Sequence, residues 1–433
     1  MPLPLPLTKH IAELTVLRAA LLTRRVMTSV TTSNSSSSSS SALTKHDATP
    51  VTKADFGAQA LLMASLRSFF PHDSFVGEED AEALRSDSQL AEAVYALVKE
   101  ACSDFKAQEG GEKLESIIIN NADGSMTTTT SLPGPASLEE MLELLDLAGR
   151  GQPGPRGRFW IMDPVDGTAS FLRGQQYAVS LALVEDGREV LGVVCYPNLG
   201  LDNDNDGGGG IVAETSVDVH GCGVMLSSIR GEGTDYRRLL STEPTSLGPA
   251  RKLDRLSPPA NLAALRFVDC LASKSSRLDI AEWVARQIGA LPFPGVDLWS
   301  SHVRYAALML GDDDDDDDDD GGNEEEQEEE QEEEKKKKKK GRNRHVMIRV
   351  PVGARGEPSR ACVWDHASSQ LLYTEMGGKV TDLEGCEMDF GRGRTLAGNW
   401  GLVAAPEGVH GEVLRLVREW IERDPVIRGV GAA

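Results

Sequence analysis

The chain has 433 residues, enough for two domains with sizeable cores, and 40% of them are hydrophobic, an ordinary share for a globular protein. The formal net charge of −23 says little about the folded body: Asp312 to Asp320 gives nine negatives, Glu324 to Glu334 nine more, and Lys335 to Lys340 returns six positives. The remaining acidity gives no sign of nucleic-acid binding, six scattered cysteines without a Cys-x-x-Cys argue against zinc or a disulfide framework, and no apolar run reaches the roughly 18 residues of a membrane span.

In chain order, the N-terminal stretch lacks a charged region followed by a long apolar one, so no signal peptide is read there. Thr8 to Val26 places Ile11, Leu14, Leu17, Leu21 and Leu22 at helical spacing and predicts an amphipathic helix. Its basic part, Leu17 to Arg25, leaves a mitochondrial address open beside the cytoplasmic location that free cysteines suit. Ser33 to Ser41 has the composition of a flexible linker. A second helix is expected from Asp55 to about Phe69, with Phe56, Ala60, Met63 and Ala64 facing inward. Ser74 to Gly77 reads as a brief strand ending at Glu78, and Ala81 to Leu147 as helix and loop with a polar insertion from Asn120 to Ser131. Phe159 to Met162 is a short apolar run that reads as a buried strand. Asp186-Gly187 between the β-rich runs Tyr177 to Val184 and Glu189 to Tyr196 is a strong hairpin signal.

Asp202 to Gly210 is a low-complexity loop expected near a boundary between an N-terminal α+β domain (1–200) and a C-terminal α/β domain (201–433). The second part alternates: strand Leu265 to Asp269, helix Leu278 to Ile288, helix Ser300 to Leu310, strand Val346 to Val350, helix Asp365 to Met376, strand Lys379 to Thr381 and a terminal helix Val409 to Arg423. Such alternation argues for an α/β layer domain. The tract 312–340 interrupts it, and blocks of like charge are expected to be disordered.

The chemistry concentrates at Phe159-Trp-Ile-Met-Asp-Pro-Val-Asp-Gly-Thr168. Polarity switches at once after Met162, and Pro164 and Gly167 force a turn. Asp163 and Asp166, three apart on a tight turn at a strand end, can converge on one hard cation such as Mg²⁺. The amides of Gly167 and Thr168 can face the same point and suit a phosphate. Taken alone, Asp-x-x-Asp-Gly also fits an Asx-type turn.

Three spaced motifs resolve that choice. Asp163-Pro-Val-Asp-Gly-Thr168 resembles the signature of the inositol monophosphatase superfamily of metal-dependent, lithium-sensitive phosphatases. Val76-Gly-Glu-Glu-Asp80 resembles the Gly-Glu-Glu element of that family, and Trp364-Asp365-His-Ala367, followed by Gly377-Gly378, its Trp-Asp element. The flanks Gly157-Arg-Phe-Trp160 and Phe171-Leu-Arg-Gly-Gln-Gln-Tyr-Ala-Val-Ser-Leu-Ala-Leu-Val184 resemble the 3'(2'),5'-bisphosphate nucleotidase branch.

The resemblance implies an α/β protein of the layered αβαβα sandwich type shared by inositol monophosphatase and fructose-1,6-bisphosphatase. It implies two or three Mg²⁺ ions: one held by Glu78, Asp163 and the Val165 carbonyl, a second by Asp163, Asp166 and Asp365, all hard oxygen ligands. Asp365 by itself would read as a helix N-cap. Glu79 would orient a ligand or a bound water. Asp55 would orient Thr168, and Thr168 would help activate the attacking water. Substrate grip is implied for Gly167, Thr168, Ser301, Arg304 and Arg349; by itself Arg304 would read as an exposed helix charge. Substrate grip is implied for Lys274 as well, which stands before Ser275-Ser276 where the branch has a His. The implied activity is Mg²⁺-dependent removal of the 3'-phosphate of adenosine 3',5'-bisphosphate, giving AMP, with the sulfated nucleotide as second substrate. An inositol phosphate phosphatase and a non-catalytic phosphate-binding scaffold are the alternatives. The expected partner is the small nucleotide alone, with a monomeric enzyme, no nucleic acid and no membrane.

Overall fold

The computed structural model describes residues 3–34, 42–44, 50–107, 117–120, 126–129, 132–201, 212–218, 223–239, 245–257, 259, 261–311, 344–353 and 359–423. The serine-rich stretch 35–41, the loop 202–210 and the charged tract 312–340 lie outside the described residues, as does most of the polar insertion 120–131. Short antiparallel pairs join Ala42–Thr44 to Pro50–Thr52 and Ile117–Asn120 to Met126–Thr129. The second pair lies at the insertion, which the sequence had led us to read as loop.

Five layers stack in the order helix, sheet, helix, sheet, helix, as expected for the αβαβα sandwich. The first sheet has seven strands, in the order Arg251–Lys252, Thr234–Arg238, Val224–Ile229, Arg188–Tyr196, Ala178–Glu185, Arg158–Asp166 and Ser74–Gly77. All neighbours are antiparallel except the last pair, which is parallel. Asp186 (φ 49°) and Gly187 (φ 80°) both adopt the left-handed conformation that a two-residue hairpin demands, and they join the two strands the sequence marked.

One face of this sheet is covered by Leu5–Asn34 and Lys53–Phe69, with Ser88–Ala107 and Leu138–Gly149 packed around them. The amphipathic expectation for the first helix needs correction. Residues 11–20 are buried on every side, because sheet, second helix and Ser88–Ala107 enclose them. The second helix is likewise buried from Ala54 to Leu66, well beyond the expected stripe. Even Arg18 is in the core. The two terminal nitrogens of its guanidinium donate to the carbonyls of Leu61 (3.1 Å), Leu132 (2.9 Å) and Pro133 (2.7 Å) and to Ser65 Oγ (2.6 Å), which offsets the burial that pulls this cation down to about 10.

The middle layer holds Ser301–Leu310 and Ala367–Glu375. Beyond it lies a five-stranded sheet, ordered Val296–Asp297, Arg266–Asp269, His345–Arg349, Leu402–Pro406 and Gly378–Thr381. Its first three strands are parallel, so their carboxyl ends share one edge. The helices Leu278–Ile288 and Glu407–Arg423 close the outer face. Three apolar clusters seal the layers, one at each outer interface and one on both sides of the middle helices, and fully burying a side chain such as Phe171 or Phe267 stabilises by roughly 1.5–3 kcal/mol. No helix among the described residues is long and apolar enough to cross a membrane.

Candidate active site

The strand Arg158–Asp166 runs further than its apolar residues suggested. The sequence led us to expect a turn after Met162; instead the pairing continues to Asp166 through an irregularity. Asp163 pairs with Ser180 and Asp166 with Ala178, three steps on one strand against two on the other. In a regular strand residues three apart point to opposite faces. The extra residue, with Pro164 beside it, re-aims the strand, and Asp163 and Asp166 come to one side. The turn follows at Gly167, with φ 96°; a Cβ there would meet Ser300 Cβ at 2.9 Å, so only glycine fits.

Ligand atoms of Asp163, Asp166 and Asp365 lie within 4.8 Å of one another. Asp365 is in the turn before the helix Ala367–Glu375, whose N-cap is His366, so Asp365 is not the cap. Asp163 is 1% exposed, and its Oδ1 has no hydrogen-bond partner among the described residues. Burial and the charges of Glu78, Asp166, Asp365 and Asp55 push its carboxyl well above the usual range. Burial, Asp166 and Glu78 raise Asp365 to about 7, against the pull of Arg349 and Arg304. Mutually repelling carboxylates around a buried, unpartnered oxygen are what a hard divalent cation completes.

The surroundings hold this cluster in place. Ser300 caps the helix Ser301–Leu310: its Oγ accepts from Val303 N (3.0 Å) and donates to Asp166 Oδ2 (2.5 Å), which also accepts from His302 N (2.6 Å). The His302 ring is fully buried. A carbonyl can only accept, so Nε2 carries the proton toward Trp364 O (2.9 Å), and Nδ1 accepts from Ser369 Oγ (2.7 Å). Burial keeps this imidazole neutral. His302 thus ties Asp166 to the peptide preceding Asp365. On the other side, Gln59 brackets Glu79, accepting from its N (2.9 Å) and donating to its O. That close approach needs Gly77, where a Cβ would meet Gln59 Oε1 at 2.6 Å. Sequence reasoning missed Gln59, Ser300 and His302. Gln59 gives one visible signal, a polar residue between Ala58 and Ala60 on an apolar helix, and Ser300 another, a serine at a helix start.

Of the residues marked in the sequence, Asp55 is 1% exposed in the first turn of its helix. Glu78 is half-buried at the end of the edge strand, and Glu79 is buried. Thr168 Oγ1 donates to the Val165 carbonyl at 3.2 Å. Arg304 is not the exposed charge its helix position suggested. It is 2% exposed, and its guanidinium donates to Leu298 O (3.1 Å), Trp299 O (3.2 Å) and Ser301 Oγ (2.9 Å). Arg349 ends the third parallel strand. Burial and the nearby Arg304 pull it down to about 10, while Asp269 and Asp365 act the other way. Nε of both arginines is buried without a partner among the described residues. Lys274 is exposed on the loop after the strand Arg266–Asp269.

Residues 7–258 and 345–422 match the inositol monophosphatase family. The chain is 33% identical over 414 residues to a protein of Emericella nidulans named 3'(2'),5'-bisphosphate nucleotidase, covering 95% of this chain and 97% of that one. It is 31% identical over 417 residues to a Schizosaccharomyces pombe protein of the same name, covering 96% of each. Among solved structures it is similar in fold to the extragenic suppressor protein suhB of Bartonella henselae, at a TM-score of 0.50 and 15% identity over 95% of this chain and 98% of that one. Every acidic residue of the cluster falls within the matched segments, and the chain belongs to the inositol monophosphatase family.

Proposed function

We propose that the protein is a Mg²⁺-dependent 3'(2'),5'-bisphosphate nucleotidase that hydrolyses the 3'-phosphate of adenosine 3',5'-bisphosphate to AMP, and that of the sulfated nucleotide 3'-phosphoadenylyl sulfate, in sulfate assimilation. The observation that carries this reading is the convergence of Asp163, Asp166 and Asp365 around the unpartnered Asp163 Oδ1. The names of the fungal relatives support the substrate class. In this reading Asp163, Asp166 and Asp365, with Glu78 and the Val165 carbonyl, hold the metal. Bound there, Mg²⁺ neutralises charge on the phosphoryl oxygens and lowers the pKa of the attacking water.

The chain's own residues do the rest. Thr168 has one hydroxyl proton, which in this arrangement goes to Val165 O. A hydroxyl turns freely about its bond; were the Val165 carbonyl to hold a cation, the Thr168 proton would be free to turn to Asp55 and the Thr168 oxygen to accept from water. Asp55 is the base we assign to this relay. Arg349, at the carboxyl edge of the parallel strands with a donor left over, is assigned to a substrate phosphate, since guanidinium groups bind phosphate in bidentate fashion. Ser301 and Arg304 support the same edge, the amides of Gly167 and Thr168 receive the scissile phosphate, and Lys274 adds charge at the rim. The free thiols of Cys102, Cys195, Cys270, Cys362 and Cys386 fit a reducing cytoplasmic setting.

The test is phosphate release by the purified protein from adenosine 3',5'-bisphosphate and from an inositol monophosphate, each with Mg²⁺ and with a chelator. Metal-dependent release favouring the nucleotide is expected. A preference for the inositol ester makes the protein an inositol phosphate phosphatase, and no release from either makes it a non-catalytic phosphate binder.

A further inference from the structure

Arg394 lies outside every motif named above, yet it touches both elements that carry the outermost acidic residues of the site. Its backbone belongs to a short run that flanks the approach to Asp365. Val363 N donates to Arg394 O (3.0 Å), Leu396 N donates to Ala361 O (2.9 Å), and Cys362 and Thr395 form an antiparallel bridge between them. Its side chain continues the contact, with the guanidinium carbon 4.6 Å from the centroid of the Trp364 ring.

The same guanidinium reaches back to the far side of the site. Nη2 donates to Gly77 O (2.7 Å) and, at 3.4 Å, to Glu78 O; Nη1 donates to Ala148 O (3.2 Å) and, at 3.4 Å, to Gly151 O. These carbonyls close the edge strand Ser74–Gly77 and the helix Leu138–Gly149. A planar fork of donors that also stacks on an indole suits arginine, and a lysine ammonium cannot reproduce it.

We propose that Arg394 is a positioning residue that clamps the Glu78 backbone to the Trp364–Asp365 turn, and so sets the affinity of the divalent-cation site. The inference rests on the assignment of Glu78 and Asp365 as metal ligands made above. Its sign separates it from a simple charge effect. Arg394 is half-buried in the field of Asp80, Glu78 and Glu79, and a cation so placed repels a second cation. If Arg394 acted only as a charge, removing it would tighten metal binding. If it acts as a clamp, removing it lets Glu78 and Asp365 drift apart and weakens binding.

The experiment uses the full chain, stripped of metal, as wild type, Arg394→Met and Arg394→Lys. Mn²⁺ binding is measured by calorimetry, metal-free Tm by circular dichroism, and phosphate release across a Mg²⁺ titration. The Mn²⁺ Kd should rise about tenfold or more in both variants, as when groups behind metal ligands are removed. The half-saturating Mg²⁺ concentration should rise in step, while KM for the phosphate ester at saturating Mg²⁺ stays within about twofold. A lowered Tm with unchanged Mn²⁺ affinity overturns the proposal, because a merely structural brace would do that. Tighter Mn²⁺ binding by Arg394→Met with a wild-type Arg394→Lys also overturns it, in favour of the charge effect. If the wild type itself binds no Mn²⁺, the metal-site reading fails first, and that arm alone reveals it. The lysine variant keeps the charge and most of the stem, so it remains informative should the methionine variant misfold.

Discussion

The acidic centre and the basic edge beside it are built on opposite terms. In the centre, charge is left uncompensated: Asp163 is buried with an unpartnered oxygen, and its neighbours push it well above the usual carboxylate range. At the edge, Arg304 is engaged by two carbonyls and a hydroxyl of its own helix start, and Asp269 lies in the field of Arg304 and Arg349. The centre is incomplete without a counter-ion, whereas most of the edge is satisfied by protein alone. The acidic residues and Arg349 lie in the segments that match the family, while Lys274, Ser301 and Arg304 lie in the stretch between residues 258 and 345. Damage to the centre should therefore reach metal and turnover, and damage to the edge should reach stability and substrate choice.

The largest effect is expected at Asp163. Asp163→Asn removes a proposed metal ligand and, in the metal-free protein, a buried carboxyl whose charged form is opposed by Glu78, Asp166, Asp365 and Asp55. Turnover should fall by more than about a hundredfold, beyond the usual cost of losing a group behind a ligand. The metal-free Tm should rise, by about 2 °C or more, because the repulsion is gone. Turnover by stopped phosphate assay and Tm in a chelator check the two halves; a folded variant with near-wild-type turnover would remove Asp163 from the metal site.

A second test uses pH. The folded carboxyl of Asp365 is raised to about 7, above an unfolded value of about 3.9. The folded state therefore holds a proton that the unfolded state releases, and the stability this gives is complete below about pH 3.9 and lost as pH rises to about 7. Measured in a chelator, the Tm of Asp365→Asn minus that of the wild type should climb across this window and level off above it. Saturating Mg²⁺ should reverse the order at neutral pH, since it stabilises only the form that binds it. A difference that does not change with pH would mean that Asp365 titrates normally.

How much of this was legible in the sequence follows the same divide. Asp163, Asp166, Gly167 and Thr168 are contiguous, so the chain displays them together, and the hairpin at Asp186-Gly187 follows from local backbone demands. The bulge was not legible: Asp163-Pro-Val-Asp166 looks like a turn, and only pairing with Ser180 and Ala178 shows that the strand continues. The burial of the first helix escaped for a related reason. Periodicity reports one apolar stripe, whereas Glu13 and Arg18 are buried through partners far along the chain, such as Ser227 for Glu13 and the Leu132 carbonyl for Arg18. Helix position alone made Arg304 look like an exposed charge for want of the same information, since two of its acceptors are carbonyls, which no sequence distinguishes.

At the edge, Arg349→Ala and Arg304→Ala should differ from each other. Arg349→Ala should raise KM for the bisphosphate nucleotide by about tenfold while changing KM for a simple phosphate ester little, because it removes uniform binding of the second phosphate. Arg304→Ala should also cost roughly 2–4 kcal/mol of stability, since it strips donors from buried carbonyls. Denaturant melts beside kinetics on both substrates separate the two. Equal losses on both substrates for Arg349→Ala would show that it does not read the nucleotide.

The smallest effect belongs to Lys274, and it shows where the edge ends. Lys274 is exposed on the loop after Arg266–Asp269, and surface substitutions of this kind usually change stability by no more than about 0.5 kcal/mol. What Lys274→Ala removes is a solvated charge near the path of an anionic substrate. The Debye length is about 8 Å at physiological ionic strength and about 30 Å at 0.01 M, so the charge acts at long range only in dilute buffer. Tm and kcat should stay at wild-type values. KM for the nucleotide should rise about twofold at 0.01 M ionic strength, and the difference should vanish by 0.15 M. A rise that persists at 0.15 M salt and exceeds about fivefold could not be steering, because screening would have erased it. It would place the Lys274 ammonium in direct contact with the bound nucleotide, and the basic edge would then extend from Arg349 at the strand end out to this loop.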